Sequence, residues 1–343
     1  MAEAARTATP LRNTRADFAM NAMPRVSIVL LNWNGGDRVV ESFSAVRAQD
    51  YADVEVILVD NASQDGSLEK CLAVAKPDQL VRLPENLGFA AGMNAGITVA
   101  AGDWVVPVGN DVYLAPDYVS TVVLRGEADP QIGVVGGAEY AWVDGVRTDE
   151  QRPSAGALFL SPELRGRWSP ATDDTYAFGV SGSMPLMRRA MLDDLREVHG
   201  YWYDERFGTG YEDLDLWFRM QHRGWKALYC PAARAWHVGS ASAEGATGFL
   251  DKPPDYQQRL FRNRRLIWMK DVSPGMRRRL GLRWHLFELL LPVYLALRAP
   301  SALGPWWRGR ADARRLAPAL LHEGEMASGM ALVPDAEMLG FVR

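Results

Sequence analysis

Two short runs near the start of the chain are rich in β-branched residues and almost wholly apolar: VSIVLL (Val26 to Leu31) and VEVILV (Val54 to Val59). Strands apolar on both faces belong to sheets covered on both sides, as parallel sheets are. Between them, DRVVESFSAVRAQ places Val40, Phe43 and Val46 on one side of a predicted helix. A polar turn and a second helical segment follow Val59. A short strand is then expected around Leu80 to Leu83, a Gly/Ala-rich helix from about Gly88, and a third apolar strand, WVVPV, from Trp104 to Val108. Strand and helix in alternation predict a doubly wound α/β sheet.

From about Gly133 to Ser240 the pattern is mixed, with short strands and helices starting near Arg188 and near Glu212. The second of these puts Leu214, Trp217 and Phe218 on one face. Asp215 and Arg219 pair at i,i+4 on another face, expected at the surface. There is no internal repeat and no low-complexity tract.

At 343 residues and 48% hydrophobic, the chain is long and apolar enough to bury a sizeable core. Its net charge of -4 is unevenly spread: residues 251–320 hold fifteen Lys/Arg against five Asp/Glu, so an acidic body of about -14 is joined to a basic, Trp-rich region. No nucleic-acid partner is expected. The apolar run between Arg283 and Arg298 contains Glu288 and Pro292. It is short for a membrane span and suits a segment lying on a membrane surface, with Trp284, Trp306 and Trp307 nearby. A helix pair packed on the body, or a homodimer contact, is the alternative. Cys71 and Cys230 have no metal-ligand spacing and form no disulfide framework, so both are expected reduced in a cytosolic protein. Residues 1–24 lack a continuous apolar stretch and are expected as a disordered leader.

In open α/β sheets, ligands bind outside the carboxyl ends of the strands. Three such ends are polar here: Asn32 and Asn34, Asp60 and Asn61, and Asn110 with Asp111. Each alone fits a turn or helix cap, but three adjacent ends converging on one crevice favour a site. NLGFAAGMNAGI (Asn86 to Ile97) lacks the G-x-G-x-x-G spacing and a suitably placed acid, which argues against a dinucleotide-binding dehydrogenase. Its small residues would still let a nucleotide approach closely. Glu212 and Asp213 open a predicted helix, where acids also stabilise the N-terminus. His237 is one of five histidines, and beside a Trp such a residue is more often structural than a ligand.

Taken in order, VSIVLLNWN, VDNASQDGS, NLGFAAGMNAGI, GNDV, GVSGSMPLMRRAML, YDERFGTGYEDLDLWFRMQHRGW and PAARAWHVGS span Val26 to about Ser242, some two thirds of the chain. The set resembles the family 2 inverting glycosyltransferases, which have the GT-A fold, and within them bacterial rhamnosyltransferase-like members. The resemblance implies a mostly parallel sheet in one domain over 25–245, a nucleotide-sugar half (25–125) and an acceptor half (126–245), followed by a helical, basic region over 246–343. Asp60 would accept from N3 of uracil or thymine, with Asn32, Asn34 and Asn61 nearby and Asn86 and Asn94 helping to hold the nucleotide. Met93 stands where many relatives carry an Arg that contacts the diphosphate.

Asn110 and Asp111 fall at the family's DxD-type motif, so Asp111 would bind Mg2+ or Mn2+ and His237 would join the metal or the diphosphate. Asp213 matches the general base, with Glu212 orienting it or touching the acceptor. Gly182, Ser183 and Asp204 would face the acceptor. The implied function is metal-dependent inverting transfer of a sugar, with rhamnose a candidate, from a dTDP- or UDP-sugar to a glycan or polyprenyl-linked glycan. The implied setting is the inner face of the cytoplasmic membrane. The alternatives are a non-catalytic scaffold of the same fold and a glycoside hydrolase. The latter uses paired carboxylates but has no need of Asp60 and Asp111. A sugar-phosphate nucleotidyltransferase would need a Gly-rich loop followed by Arg and Lys after the first strand, which is absent.

Overall fold

The computed structural model describes residues 23–239 and 252–343, apart from Asp144 and Ser154. The expected leader, except for Met23 and Pro24, and the expected boundary at 245/246 lie outside the described residues. In chain order the elements are β1 (Val26–Asn32), α1 (Gly36–Arg47), β2 (Val54–Asp60), α2 (Ser67–Val74), β3 (Gln79–Arg82), α3 (Gly88–Val99), β4 (Trp104–Val108), β5 (Val112–Leu114), α4 (Tyr118–Gly126) and β6 (Ile132–Val143). Then come β7 (Val146–Gln151), β8 (Ala157–Leu160), β9 (Gly166–Ser169), β10 (Thr175–Ala177), β11 (Leu186–Arg188), α5 (Arg189–His199), α6 (Glu212–His222) and β12 (Lys226–His237). The chain closes with α7 (Pro254–Lys270), α8 (Pro274–Arg298), α9 (Leu303–Gly329) and α10 (Asp335–Leu339).

The main sheet runs β10-β12-β6-β11-β4-β1-β2-β3. Strands β3, β2, β1 and β4 are parallel. The short β11 lies antiparallel to both β4 and β6, and β12 is parallel to β6. The parallel set therefore belongs to the first half, and the second half is mixed. Alternate side chains of β1 and β2 enter different cores: Val29, Leu31, Ile57 and Val59 meet α3 on one face, while Ile28, Leu30, Val56 and Leu58 meet α1 and α2 on the other. That division is why these runs are apolar on both sides.

Two sequence expectations change in the first half. The buried side of α1 is Val39, Phe43 and Val46, at i, i+4 and i+7, with Val40 only half-buried. The small residues of α3 serve packing. A Cβ on Gly92 would stand 2.6 Å from Leu31 Cδ1, and one on Gly96 would overlap Val29. Met93 is fully buried in the same core, so it offers nothing to a phosphate.

A larger correction concerns Asp215 and Arg219. They pair as expected, at 2.7 Å, but their side chains are 0% and 2% exposed. The reason lies in the C-terminal helices, whose fold could not be read from α6. Lys270, the last residue of α7, inserts its ammonium between Asp215 and Asp204, at 2.7 Å from the latter. Burial opposes the charge on Lys270, but Asp215 foremost among its acidic neighbours raises its pKa.

Of the described helices, α8 is long and apolar enough to cross a membrane by length and composition. It is longer than the apolar run because its first turns are basic, and Pro292 lies within it. One side is buried through Met276, Leu280, Trp284, Glu288 and Leu295. Leu282, Leu286, Leu289, Leu290, Val293 and Leu297 are between 52% and 83% exposed and form a one-sided stripe.

Removing the Lys270 ammonium leaves Asp215 to Arg219 and Asp204 to Arg206 but takes away the cation these two buried carboxylates share, which costs about 3 kcal/mol or more. Lys270→Met is therefore expected to lower the unfolding free energy by at least that amount in urea titration. A change below about 1 kcal/mol, the ordinary size for a surface pair, would show that the ammonium is not needed there.

Candidate functional site

The parallel register places the first polar pair. Asn32 lies opposite Asp60 across β1 and β2, and its Nδ2 donates to Asp60 Oδ1 at 3.1 Å and to Ser67 Oγ at 2.9 Å. Both residues are buried, Asp60 at 5% exposure. The other Asp60 oxygen accepts from the Ser63 backbone N–H at 3.2 Å. Asn34 adopts φ 46°, and its side-chain oxygen accepts from the Gln64 N–H at 2.8 Å. A turn after β1 and a turn after β2 thus hold each other open at the sheet edge. The next end joins them at Gly35, where a Cβ would stand 2.8 Å from Asn32 Oδ1 and 2.9 Å from Asn110 Nδ2.

Asn61 and Asn86 form the floor behind Asp60. Asn61 Nδ2 donates to Asn86 Oδ1 at 2.9 Å and to the Gly88 carbonyl at 3.1 Å, while its oxygen accepts from Leu87 N–H. Asn94 departs from the expectation that it helps hold the nucleotide. Its amide donates to the Tyr203 carbonyl and to Glu205, and its oxygen accepts from Tyr203 N–H. Its polar atoms tie α3 to the segment before α6, which occupies them within the fold.

The second corner is made by β5. It pairs with β12 so that Val112 faces His237, and Asp111 therefore meets the imidazole, with Oδ2 3.3 Å from Nε2. Asp111 is 6% exposed, and apart from the imidazole that oxygen has no hydrogen-bond partner. Asn110 is less enclosed and donates to the Trp33 carbonyl at 3.2 Å. The far side of the imidazole faces Glu139, at 3.1 Å from Nδ1. Glu139 is 2% exposed and takes Arg152 at 3.2 Å and the Ser181 hydroxyl at 2.9 Å. Arg152 also donates to the His237 carbonyl at 3.0 Å. Burial works against a charged imidazole, yet Asp111 and Glu139 together raise its pKa to about 10. Burial likewise opposes the Glu139 charge, and His237 reverses the balance and holds its carboxyl below the usual range.

Glu139 was missed on sequence, although a signal exists. It is the sole charged residue in the strand IGVVGGAEYAWV, and a lone acid inside a buried strand needs a partner.

The loop 181–183 links this corner to the third group. Ser183 Oγ is 3.3 Å from His237 Nδ1. A Cβ on Gly182 would stand 2.8 Å from Asp213 Oδ2, so only glycine lets the loop back onto that carboxylate. Asp213 and Glu212 open α6, as the sequence suggests, and Asp213 Oδ1 accepts from Leu214 N–H at 2.7 Å. Burial raises the pKa of both. For Glu212, burial and then the neighbouring Asp213 charge lift it to about 8. Its Oε2 is buried without a partner.

Asp204, expected toward the acceptor, is 3% exposed. Its oxygens are held by Lys270 and by Arg206 at 2.7 Å. Burial would raise this carboxyl, but Lys270 and then Arg206 hold it well below the ordinary range. The reason for the difference is again α7, whose ammonium enters from behind the site.

A divalent cation fits the second corner. Asp111 presents a buried hard oxygen whose one neighbour is the imidazole, and His237 presents that imidazole nitrogen, both ligand types for Mn2+ or Mg2+. Among the described residues no group of three or more His, Cys, Asp and Glu side chains could hold a metal unaided. Two protein ligands would thus need phosphate oxygens and water to complete the shell. Glu139, on the other ring nitrogen, stands where an orienting partner of a metal-binding histidine belongs.

Residues 27–196 match the family model described as Glycosyl transferase family 2, and the chain carries that family's domain. The poly-beta-1,6-N-acetyl-D-glucosamine synthase of Staphylococcus aureus (strain MSSA476) is 23% identical over 231 residues, 65% of this chain and 52% of that protein. The chain thus spans about half the length of the curated relatives it matches. Its fold is similar to that of S. aureus TarS 1-349 in complex with UDP-GlcNAc, with a TM-score of 0.58, 15% identity and coverage of 88% and 84% of the two chains. It is also similar to the mannosyltransferase PcManGT from Pyrobaculum calidifontis in complex with GDP-Man and Mn2+, with a TM-score of 0.54, 20% identity and coverage of 92% and 83%. The GT-A fold expected from the sequence is the observed one.

In the metal-free protein, His237 is expected to stay protonated through neutral pH, with a titration midpoint near 10 by imidazole NMR. Glu139→Gln removes one of its two anionic partners and should lower that midpoint by at least one unit. A wild-type midpoint near the ordinary 6.5 would dismiss the Asp111–His237–Glu139 arrangement.

Proposed function

With a family 2 glycosyltransferase domain as the premise, we propose that this chain is a metal-dependent inverting glycosyltransferase. It moves a sugar from a UDP- or dTDP-sugar, with rhamnose a candidate, to a hydroxyl of a glycan or lipid-linked glycan in cell-surface polysaccharide synthesis. The observation that carries the reading is the loop 181–183, which contacts the His237 imidazole on one side and backs onto Asp213 on the other. A cation corner and a buried base are thereby held in one crevice. The Mn2+ and nucleotide sugars in the named similar structures support the same reading.

Asp60 accepts the N3–H of the pyrimidine base, steadied by Asn32. Asp111 and His237 would hold Mg2+ or Mn2+, which when bound neutralises the charge that builds on the departing diphosphate. Asp213 removes the proton from the acceptor hydroxyl. The freed oxygen bonds to the anomeric carbon from the side opposite the diphosphate as the bond to the diphosphate breaks, which inverts the centre. Glu212, with its pKa near 8, keeps its proton at neutral pH and adds no second negative charge beside the base. Gly182 and Ser183 line the acceptor side.

The exposed stripe of α8, one-sided and bordered by Arg278, Arg279, Arg283 and Arg298, supports peripheral docking on the anionic inner face of the cytoplasmic membrane. Its other side is engaged by α7: Trp284 stacks on Trp268 with centroids 4.6 Å apart, and Glu288 takes Arg264 and Arg265. A helix with one side committed to protein lies in an interface more readily than it spans one.

Calorimetry with UDP and dTDP, with and without Mn2+, followed by a panel of UDP-, dTDP- and GDP-sugars, tests the first claim. Asp111→Ala is expected to abolish the Mn2+-dependent part of nucleotide binding, and Asn110→Ala only to weaken it. Asp213→Asn should remove transfer by at least 100-fold, on the order of a general base's contribution, with nucleotide binding intact. Because the base acts ionised and burial raises its pKa, wild-type turnover should fall on acidification with a midpoint above the ordinary aspartate value of about 3.9. Absence of any metal-dependent nucleotide binding would leave a scaffold of this fold.

For the membrane, co-sedimentation with phosphatidylglycerol vesicles is expected for the wild type and lost in Leu286→Glu/Leu290→Glu. A wild type that ignores vesicles and sediments as a dimer, dissociated by the same substitutions, would assign the stripe to a second copy.

A further inference from the structure

We infer that α7 is part of the machinery that sets the base, and that Asn263 is its positioning residue. The inference rests on Asp213 as the base. The segment leading into that residue is unusual backbone. Gly208, Gly210 and Tyr211 have φ of 67°, 91° and 72°, three positive-φ residues within four, and Tyr211 holds the left-handed conformation with a full side chain. Such conformations persist only where the surroundings over-determine them. From the first half of the chain this loop receives one backbone bond, Ala90 N–H to the Gly208 carbonyl at 3.0 Å.

Side chains of α3 and α9 brace its start, through Asn94 to Glu205 and Glu323 to Arg206, and the turn nearest the base is held from α7. Asn263 is fully buried, and its amide nitrogen donates to the Phe207 carbonyl at 2.8 Å and to the Gly210 carbonyl at 2.6 Å. One side chain thereby spans the left-handed turn. Its oxygen accepts from Arg262 Nε at 2.9 Å, and Arg262 also donates to the Arg206 carbonyl at 2.7 Å. An aspartate at 263 would set acceptor against acceptor, and an alanine would strand the Gly210 carbonyl and leave that of Phe207 only its 3.2 Å bond from Arg262. Gly210 is constrained twice, by its φ and because a Cβ there would overlap Leu260 of α7.

The helix making these contacts is itself fixed from behind. A Cβ on Gly324 of α9 would stand 2.6 Å from the Lys270 carbonyl, so α9 crosses α7 at close range. Arg206 in the loop is clasped by Glu323 of α9 at 2.6 Å. All of this lies beyond the residues matched by the family model, which end at 196. Asn263 touches neither reacting atom. It holds the two-residue step from Gly210 to Glu212, and a small rotation there would carry Asp213 away from Gly182.

The test compares Asn263→Ala and Asn263→Asp with Trp268→Phe, which loosens α7 against α8 and touches no loop carbonyl. Amide hydrogen exchange is followed over 205–214, together with UDP–Mn2+ affinity and, on the donor found in the panel above, kcat and its pH profile. In both Asn263 variants exchange in 205–214 should accelerate at least tenfold while the strands of 26–60 keep their protection. The kcat should fall about 10- to 100-fold, the range for a displaced catalytic group, with UDP–Mn2+ affinity unchanged and the acidic midpoint of the profile shifted. Trp268→Phe should lower Tm and leave exchange in the loop, kcat and the pH profile as they were.

Should Asn263→Ala show no cooperative unfolding, Gly210→Ala disturbs the same step with α7 intact and is expected to give the same loss of kcat. Loop exchange that stays at wild-type rates, or kcat and pH profile that follow Trp268→Phe, would overturn the inference. Normal turnover in Asp213→Asn would instead remove the base assignment, and the exchange measurement would still decide whether α7 holds the loop.

Discussion

One ammonium group, that of Lys270, sets how the second half of the chain is assembled. It sits between Asp204 and Asp215 with 3% of its side chain exposed, and Arg219 closes the far side of Asp215. Two interior carboxylates so close together could not both stay ionised without such cations. Burial and then the charge of Asp215 push the neighbouring Asp271 carboxyl well above the ordinary range. Apolar contacts alone could hold α7 against α6 as firmly, and buried ion pairs are a poor source of net stability. What the ammonium supplies is a single register. An apolar helix face tolerates small slips, whereas a cation with two buried partners is satisfied in one place. The hydrogen bonds from Asn263 to the loop before α6, made seven residues earlier on the same helix, inherit that register.

The first half of the fold was legible in the sequence because each strand solves its own burial problem. VSIVLL and VEVILV are apolar on both faces and are covered on both faces, and the polar residues that end them lie where parallel register must leave them, at one edge of the sheet. Asp111 was legible for the same reason. The glycines of α3 were harder, since the small side chain that packs against Val29 and the one that admits a ligand look alike in a sequence. Asn94 went astray because its partners, Tyr203 and Glu205, are more than a hundred residues away. Asp204, Asp215 and Arg219 failed in the same manner: an i,i+4 ion pair reads as surface until the element that buries it is known. The periodicity of α6 carries no trace of a lysine 51 residues beyond Arg219.

The reduced acidity of the GND corner then has a physical account. A second carboxylate at position 110 would stand beside the backbone of Trp33 and near Asn32, in a crevice that already holds Asp60 and Asp111. The structure supplies negative charge from the opposite side of an imidazole instead. Asp111 and Glu139 flank His237, and Arg152 and Ser181 stabilise the outer acid. Without a metal, two anions and two cations balance, and the buried group needs no counter-ion from solvent. The imidazole faces one carboxylate at each ring nitrogen, so a divalent cation, were one bound, would be held at Nε2 while Glu139 would keep the Nδ1 proton and the ring orientation. Placing one acid behind the histidine rather than beside Asp111 keeps like charges apart by the width of a ring, and it leaves Asn110 free to brace the turn after β1.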